Sequence, residues 1–122
     1  MRERILGEAA VLELHGEIDF LATAELTPRI EALTAHQAAD LIVDLTRVSF
    51  MDAGGLRLLV RVRDHVACRG GELRVVRGAP RVMRLFRITG LEYTFAFVDC
   101  LPGQSRSGGD DDNRPPPGLA AA

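Results

Sequence analysis

The stretch of this 122-residue chain with the most chemical potential is Phe50-Met51-Asp52-Ala53-Gly54-Gly55-Leu56. It lies between an apolar run, Leu41-Ile42-Val43-Asp44-Leu45, and a run of helical periodicity from Leu56 to Val66. An acid, three residues with little or no side chain and then an amphipathic run predict an exposed helix start. The Asp52 carboxylate can accept hydrogen bonds from the free N–H groups of the first turn. Ala53, Gly54 and Gly55 leave the backbone open to close approach by another surface or a small anion.

Other residues are weighed against this stretch. Asp19 could pair with Asp52 as an acid/base dyad, but no neighbouring His, Ser or Cys completes a nucleophilic constellation, so an enzyme is not expected. Glu17 and Asp19 with Asp52 are too scattered to define a cation site. His15, His36 and His65 have no metal-ligand spacing. Cys68 and Cys100 form no Cys-x-x-Cys, and plain thiols are expected rather than a redox pair. No cofactor or metal is expected.

The chemistry-bearing stretch has to be positioned by the elements around it. Arg2–Leu6 and Ala10–Leu14 read as a hairpin around Gly7-Glu8. Gly16 marks a break, which puts Glu17 and Asp19 on a loop. A helix is expected from about Ala22 to His36, with Thr23 or Asp19 as cap and Leu26, Ile30 and Leu33 on one face. Pro28 conflicts with that start, and a regular helix beginning near Thr27 is the alternative. Leu41–Leu45 is nearly all apolar, as in a central strand covered on both faces. The second helix spans roughly Gly54 to Cys68. Its buried stripe is Leu56, Leu59, Val62 and Val66, and Arg57, Arg61 and His65 recur on the outside. Gly70-Gly71 ends it. Glu72–Val76 is a strand. Ala79-Pro80 opens a third helix with Val82, Leu85 and Phe86 inward and Arg81, Arg84 and Arg87 outward. Thr94–Val98 is the last strand. A strand–helix–strand order of this kind implies parallel pairs and an α/β layer fold.

The apolar share of 47% is enough for a core, and the length fits one domain. The net charge of −2 hides a strong asymmetry. Residues 1–56 carry ten acids against four Arg, while residues 57–87 carry nine Arg against Asp64 and Glu72. The chain has no Lys. These arginines lie on helix exteriors and the remainder of the chain is acidic, so direct nucleic-acid binding is not expected. Arg57 and Arg61 would instead complement an acidic partner surface. Residues 102–122, with Asp110-Asp111-Asp112 and Pro115-Pro116-Pro117, cannot bury a core and are expected to be a disordered tail. Ser105 and Ser107 within it are possible modification points. Only a short apolar stretch follows Met1-Arg2-Glu3-Arg4, and no run approaches the roughly 20 residues that span a bilayer, so a cytoplasmic setting with no membrane association is expected.

Three stretches resemble the STAS domains, and within them the bacterial anti-sigma factor antagonists. They are Gly16-Glu17-Ile18-Asp19 before an Ala/Thr-rich helix start, Leu41–Leu45 running to Phe50-Met51-Asp52, and the Gly55-Leu56 helix opening. Thr89-Gly90-Leu91 adds support, and the resemblance covers about residues 3–101. It implies a STAS-like mixed sheet of four to five strands with about three to four helices, in a single domain over residues 1–101. It also implies binding to an anti-sigma factor, a protein kinase of the GHKL type, with release of a sigma factor. The contact residues it implies are Asp19 and Phe20 on one side and Asp52, Ala53 and Gly54 on the other, with Arg57 and Arg61 beside them. The family motif is Asp-Ser-Ser/Thr-Gly-Leu, whose first Ser is phosphorylated by the kinase and restored by a PP2C-type phosphatase. Here that position is Ala53, followed by Gly54, and neither has a hydroxyl. The expected function is an anti-sigma factor antagonist without the usual phosphorylation. The alternative is a STAS scaffold or a small-molecule or nucleotide sensor with no kinase partner.

Overall fold

The computed structural model describes residues 2–6, 9–36 and 40–101. The Gly7-Glu8 turn, the side chains of Leu33 and His36, and the whole of 102–122 with Ser105 and Ser107 lie outside the described residues. The element order is β1 (Arg2–Leu6), β2 (Ala9–Ile18), α1 (Phe20–His36), β3 (Asp40–Met51), α2 (Ala53–Cys68), β4 (Leu73–Val76), α3 (Pro80–Ile88) and β5 (Ala96–Val98). The strands form one mixed sheet in sequence order. β1 runs antiparallel to β2, and every later pair is parallel. This is the α/β sheet of five strands with three helices that the sequence leads one to expect.

Every residue from Leu41 to Leu45 is buried in β3, which lies in the middle of the sheet. Its alternate residues feed separate apolar clusters. Leu41, Val43 and Leu45 pack with Leu12 and Leu14 of β2 and with Ile30, Leu59, Val62 and Phe86 of the three helices. Ile42 packs on the opposite face with Ala9, Val11, Val76 and Leu101. The larger core also holds an aromatic group in which Phe86 meets Phe95 and Phe97 edge-on, with centroids 5.5 and 5.1 Å away. Two carboxylates are buried in the sheet, Glu13 and Asp44.

Three sequence expectations are corrected. Gly16 does not break the second strand. It takes φ +77°, which suits glycine, and the β2–β3 register shifts on either side of it, so the strand bulges and continues to Ile18. Glu17 is therefore a strand residue rather than a loop residue. The first helix starts at Phe20, two residues before Ala22, and Pro28 lies inside it. Asp19 accepts from the amide of Ala22 at 2.8 Å and so fixes the earlier start. The hydroxyls of Thr23 and Thr27 donate to the carbonyls of Phe20 and Thr23, at 2.8 and 2.7 Å. The last strand is three residues long, and Thr94 and Phe95 belong to the turn before it.

Candidate docking surface

The site is built by the ends of β2 and β3. Their parallel pairing finishes at Ile18 and Met51, and the amide of Asp52 donates to the carbonyl of Ile18 at 3.4 Å. The next residue of each strand is an aspartate, and each opens a helix. Asp19 holds the start of α1. Asp52 has extended backbone (φ −117°, ψ −170°), and its Oδ1 accepts from the amides of Gly54 at 2.8 Å and Gly55 at 3.2 Å. Neither carboxylate is set up as an acid/base dyad, because each is committed to its own helix start.

The small residues after Asp52 play different parts. A Cβ on Gly55 would lie 2.6 Å from Met51 Cγ and 2.8 Å from the Ile18 carbonyl oxygen. Gly55 is thus the residue that lets α2 sit against the strand ends, and its backbone faces inward, away from any partner. A Cβ on Gly54 would lie 3.1 Å from Phe20 Cα, so the two helix starts nearly touch there. Ala53, at the first position of α2, is exposed. The open surface is therefore Ala53 with the outer side of Gly54.

Apolar side chains close in sequence to the two caps stand in water. Phe20 is 68% exposed, Leu21 74% and Phe50 44%. Phe20, Thr23, Thr27, Gly54, Arg57, Leu58 and Arg61 frame a depression of about 120 Å³. Arg57 and Arg61 are exposed, and Arg61 Nη2 lies 3.6 Å from Glu31 Oε2 across the α1–α2 groove. The surface thus brings Asp19, Phe20, Asp52, Ala53, Gly54 and Arg57 together, with Arg61 one turn farther along α2. The sequence reasoning missed Leu21 and Phe50. The available signal was their position: Leu21 follows the Asp19 cap and lies off the Leu26/Ile30 stripe, and Phe50 comes two residues before the Asp52 cap.

The other polar residues lie apart from this surface. His15 Nε2 lies 3.0 Å from Glu13 Oε1, and that bond, with the charge of Arg2 nearby, holds the Glu13 carboxyl below its ordinary value of 4.5. His65 and Cys68 line the far end of the α1–α2 groove. Cys68 and Cys100 are not joined in a disulfide. Among the described residues no group of three or more His, Cys, Asp or Glu is placed to hold a metal ion, and no helix is long and apolar enough to cross a membrane.

The profile of the STAS domain matches residues 2–100, nearly the whole described chain. The chain belongs to the STAS domain family. It is 38% identical over 81 residues to the anti-sigma-B factor antagonist of Bacillus subtilis, a match that covers 66% of this chain and 73% of that protein. It is 29% identical over 92 residues to the anti-sigma-F factor antagonist RsfB of Mycobacterium tuberculosis, covering 75% of each. Among solved structures, an anti-sigma factor antagonist from Mycobacterium paratuberculosis superposes with a TM-score of 0.74 at 28% identity, over 82% of this chain and 85% of that one. In this STAS domain the helix-start surface and its exposed aromatic and aliphatic side chains all lie inside the matched span.

Proposed function

We propose that this STAS domain is an anti-sigma factor antagonist. It binds an anti-sigma factor of the GHKL kinase type through the surface formed by the starts of α1 and α2, and so frees a sigma factor. The role is binding, with no reaction catalysed, and a partner that controls transcription places it in the cytoplasm. The observation that carries the reading is the open Ala53–Gly54 backbone beside exposed Phe20, with Leu21 and Phe50 exposed on the residues that flank the two caps. Large apolar side chains in water beside bare backbone are what a protein partner would cover. The relatives named as antagonists of anti-sigma factors supply the kind of partner. Arg57 and Arg61 add attraction for an acidic rim on that partner.

Ala53 occupies the place where the family motif has its phosphorylated serine, and a methyl group cannot carry a phosphoryl group. The complex is therefore not dissolved by phosphorylation at this position. The test is affinity for a GHKL-type anti-sigma factor from the same organism, measured by calorimetry. Ala53→Asp buries a charge in the contact and should weaken binding by about 3 kcal/mol, roughly a hundredfold. Unchanged affinity would remove Ala53 from the interface. Ala53→Ser should accept phosphate from ATP when mixed with that kinase if only the acceptor has been lost.

A second reading, a small-molecule sensor, draws on the groove of about 330 Å³ between α1 and α2, lined by Ile30, Leu58, Val62, Arg61 and His65. It predicts that Ala53→Asp leaves the protein's one relevant binding event untouched.

A further inference from the structure

All three helices pack on one face of the sheet, and the other face has an apolar cluster of its own. Val11 and Ile42 are 0% exposed and Val76 is 1% exposed, yet no described helix contributes to that cluster. The register shows how the face is laid out. Arg4, Val11, Ile42 and Arg74 form one cross-strand row, so the apolar pair is flanked by an arginine on each side. The Nε atoms of both arginines are buried without a hydrogen-bond partner, although Arg74 Nε lies 4.0 Å from Glu72 Oε1. Leaving such donors buried and unsatisfied is costly. The one member of the cluster beyond the strands is Leu101, which is 5% exposed and is the last described residue.

We propose that this second face is the docking surface for the chain's own segment 102–122, with Asp110-Asp111-Asp112 facing Arg4 and Arg74. The segment leaves from Leu101, already seated on the face. Nine residue steps lead from Leu101 to Asp110 and reach roughly 30 Å when extended. Five strands spaced about 4.8 Å apart make a sheet only about 19 Å wide. The acidic run can therefore reach either arginine. The composition of 102–122 rules out a core of its own but does not prevent it from ordering against a surface that already exists. Carboxylates would give the two Nε–H groups charge-assisted partners.

The test uses the full chain in solution by NMR. Ile42 and Val76 methyl groups should show contacts to protons of residues 102–122, and the Nε–H protons of Arg4 and Arg74 should exchange slowly with solvent. Replacing Asp110, Asp111 and Asp112 together by Asn should speed that exchange by about tenfold while leaving the α2 amides unchanged. Methyl groups without contacts to the segment would overturn the proposal, as would exchange rates indifferent to the triple substitution. A mixed sample of labelled and unlabelled chains would overturn it too if the contacts proved intermolecular, since a second copy would then be the occupant.

Discussion

Gly55 has no room for a methyl group, and that constraint sets the geometry of the two helix starts. Gly55→Ala would press a carbon against Met51 Cγ and the Ile18 carbonyl, both closer than 3 Å. It should destabilise the fold by about 1–3 kcal/mol in urea unfolding, with no change in denaturant slope. Asp52→Ala acts at the same junction by another route. It strips the acceptor from the amides of Gly54 and Gly55 and should cost about 1 kcal/mol. Glu13 responds to pH. Its folded value lies below 4.5 because of the hydrogen bond with His15 and then the charge of Arg2. A depressed carboxylate contributes stability that is complete above its unfolded value and is lost as pH falls through its folded value. Unfolding midpoints measured from neutral pH down into the acid range below 4.5 should fall less steeply in Glu13→Gln than in the parent.

At the scale of elements, periodicity made the helices and the central strand legible. The stripe Leu56, Leu59, Val62 and Val66 and the nearly all-apolar Leu41–Leu45 each had one reasonable interpretation, and both are buried as expected. Local punctuation misled. Gly16 looked like a break because a positive φ usually ends a strand. Here β3 supplies enough pairing to carry β2 through a bulge. Pro28 looked like a helix start, but the Asp19 cap and the burial of Ile30 hold α1 across it. The cost of that choice is measurable. Pro28→Ala restores a backbone donor within α1 and should raise stability by about 1–2 kcal/mol, the helix gain being partly offset by a more flexible unfolded chain. The site was legible where a cap or a glycine marked it. Leu21 and Phe50 were not, because the exposure of an apolar residue depends on packing between α1, α2 and β3, which a linear pattern does not encode.

Across the whole molecule, charge is distributed unevenly. The acid-rich first part of the chain provides both caps, and the arginine-rich middle supplies the outer faces of α2 and α3. Arg61 and Glu31 are each 59% exposed, so their contact is worth at most about 1 kcal/mol to the fold. Arg57→Glu with Arg61→Glu should therefore leave the unfolding midpoint nearly unchanged. On the proposed reading the pair should slow association with an acidic anti-sigma surface by about tenfold at low salt, an effect that shrinks as ionic strength rises. Stopped-flow association rates across a salt series would show it, and a salt-independent rate would argue that the arginines face solvent only.

Ala53 ends in a methyl group at the exposed first position of α2. Nothing at that position can be esterified, so the surface has no covalent off-state there. On the proposed reading, a regulator of that kind is governed by its abundance. Its effect would change when the number of copies passes the number of partner molecules, and dilution or degradation would withdraw it. Where a phosphorylatable relative can be reset in place, this chain would have to be replaced, and its lifetime becomes the length of the signal.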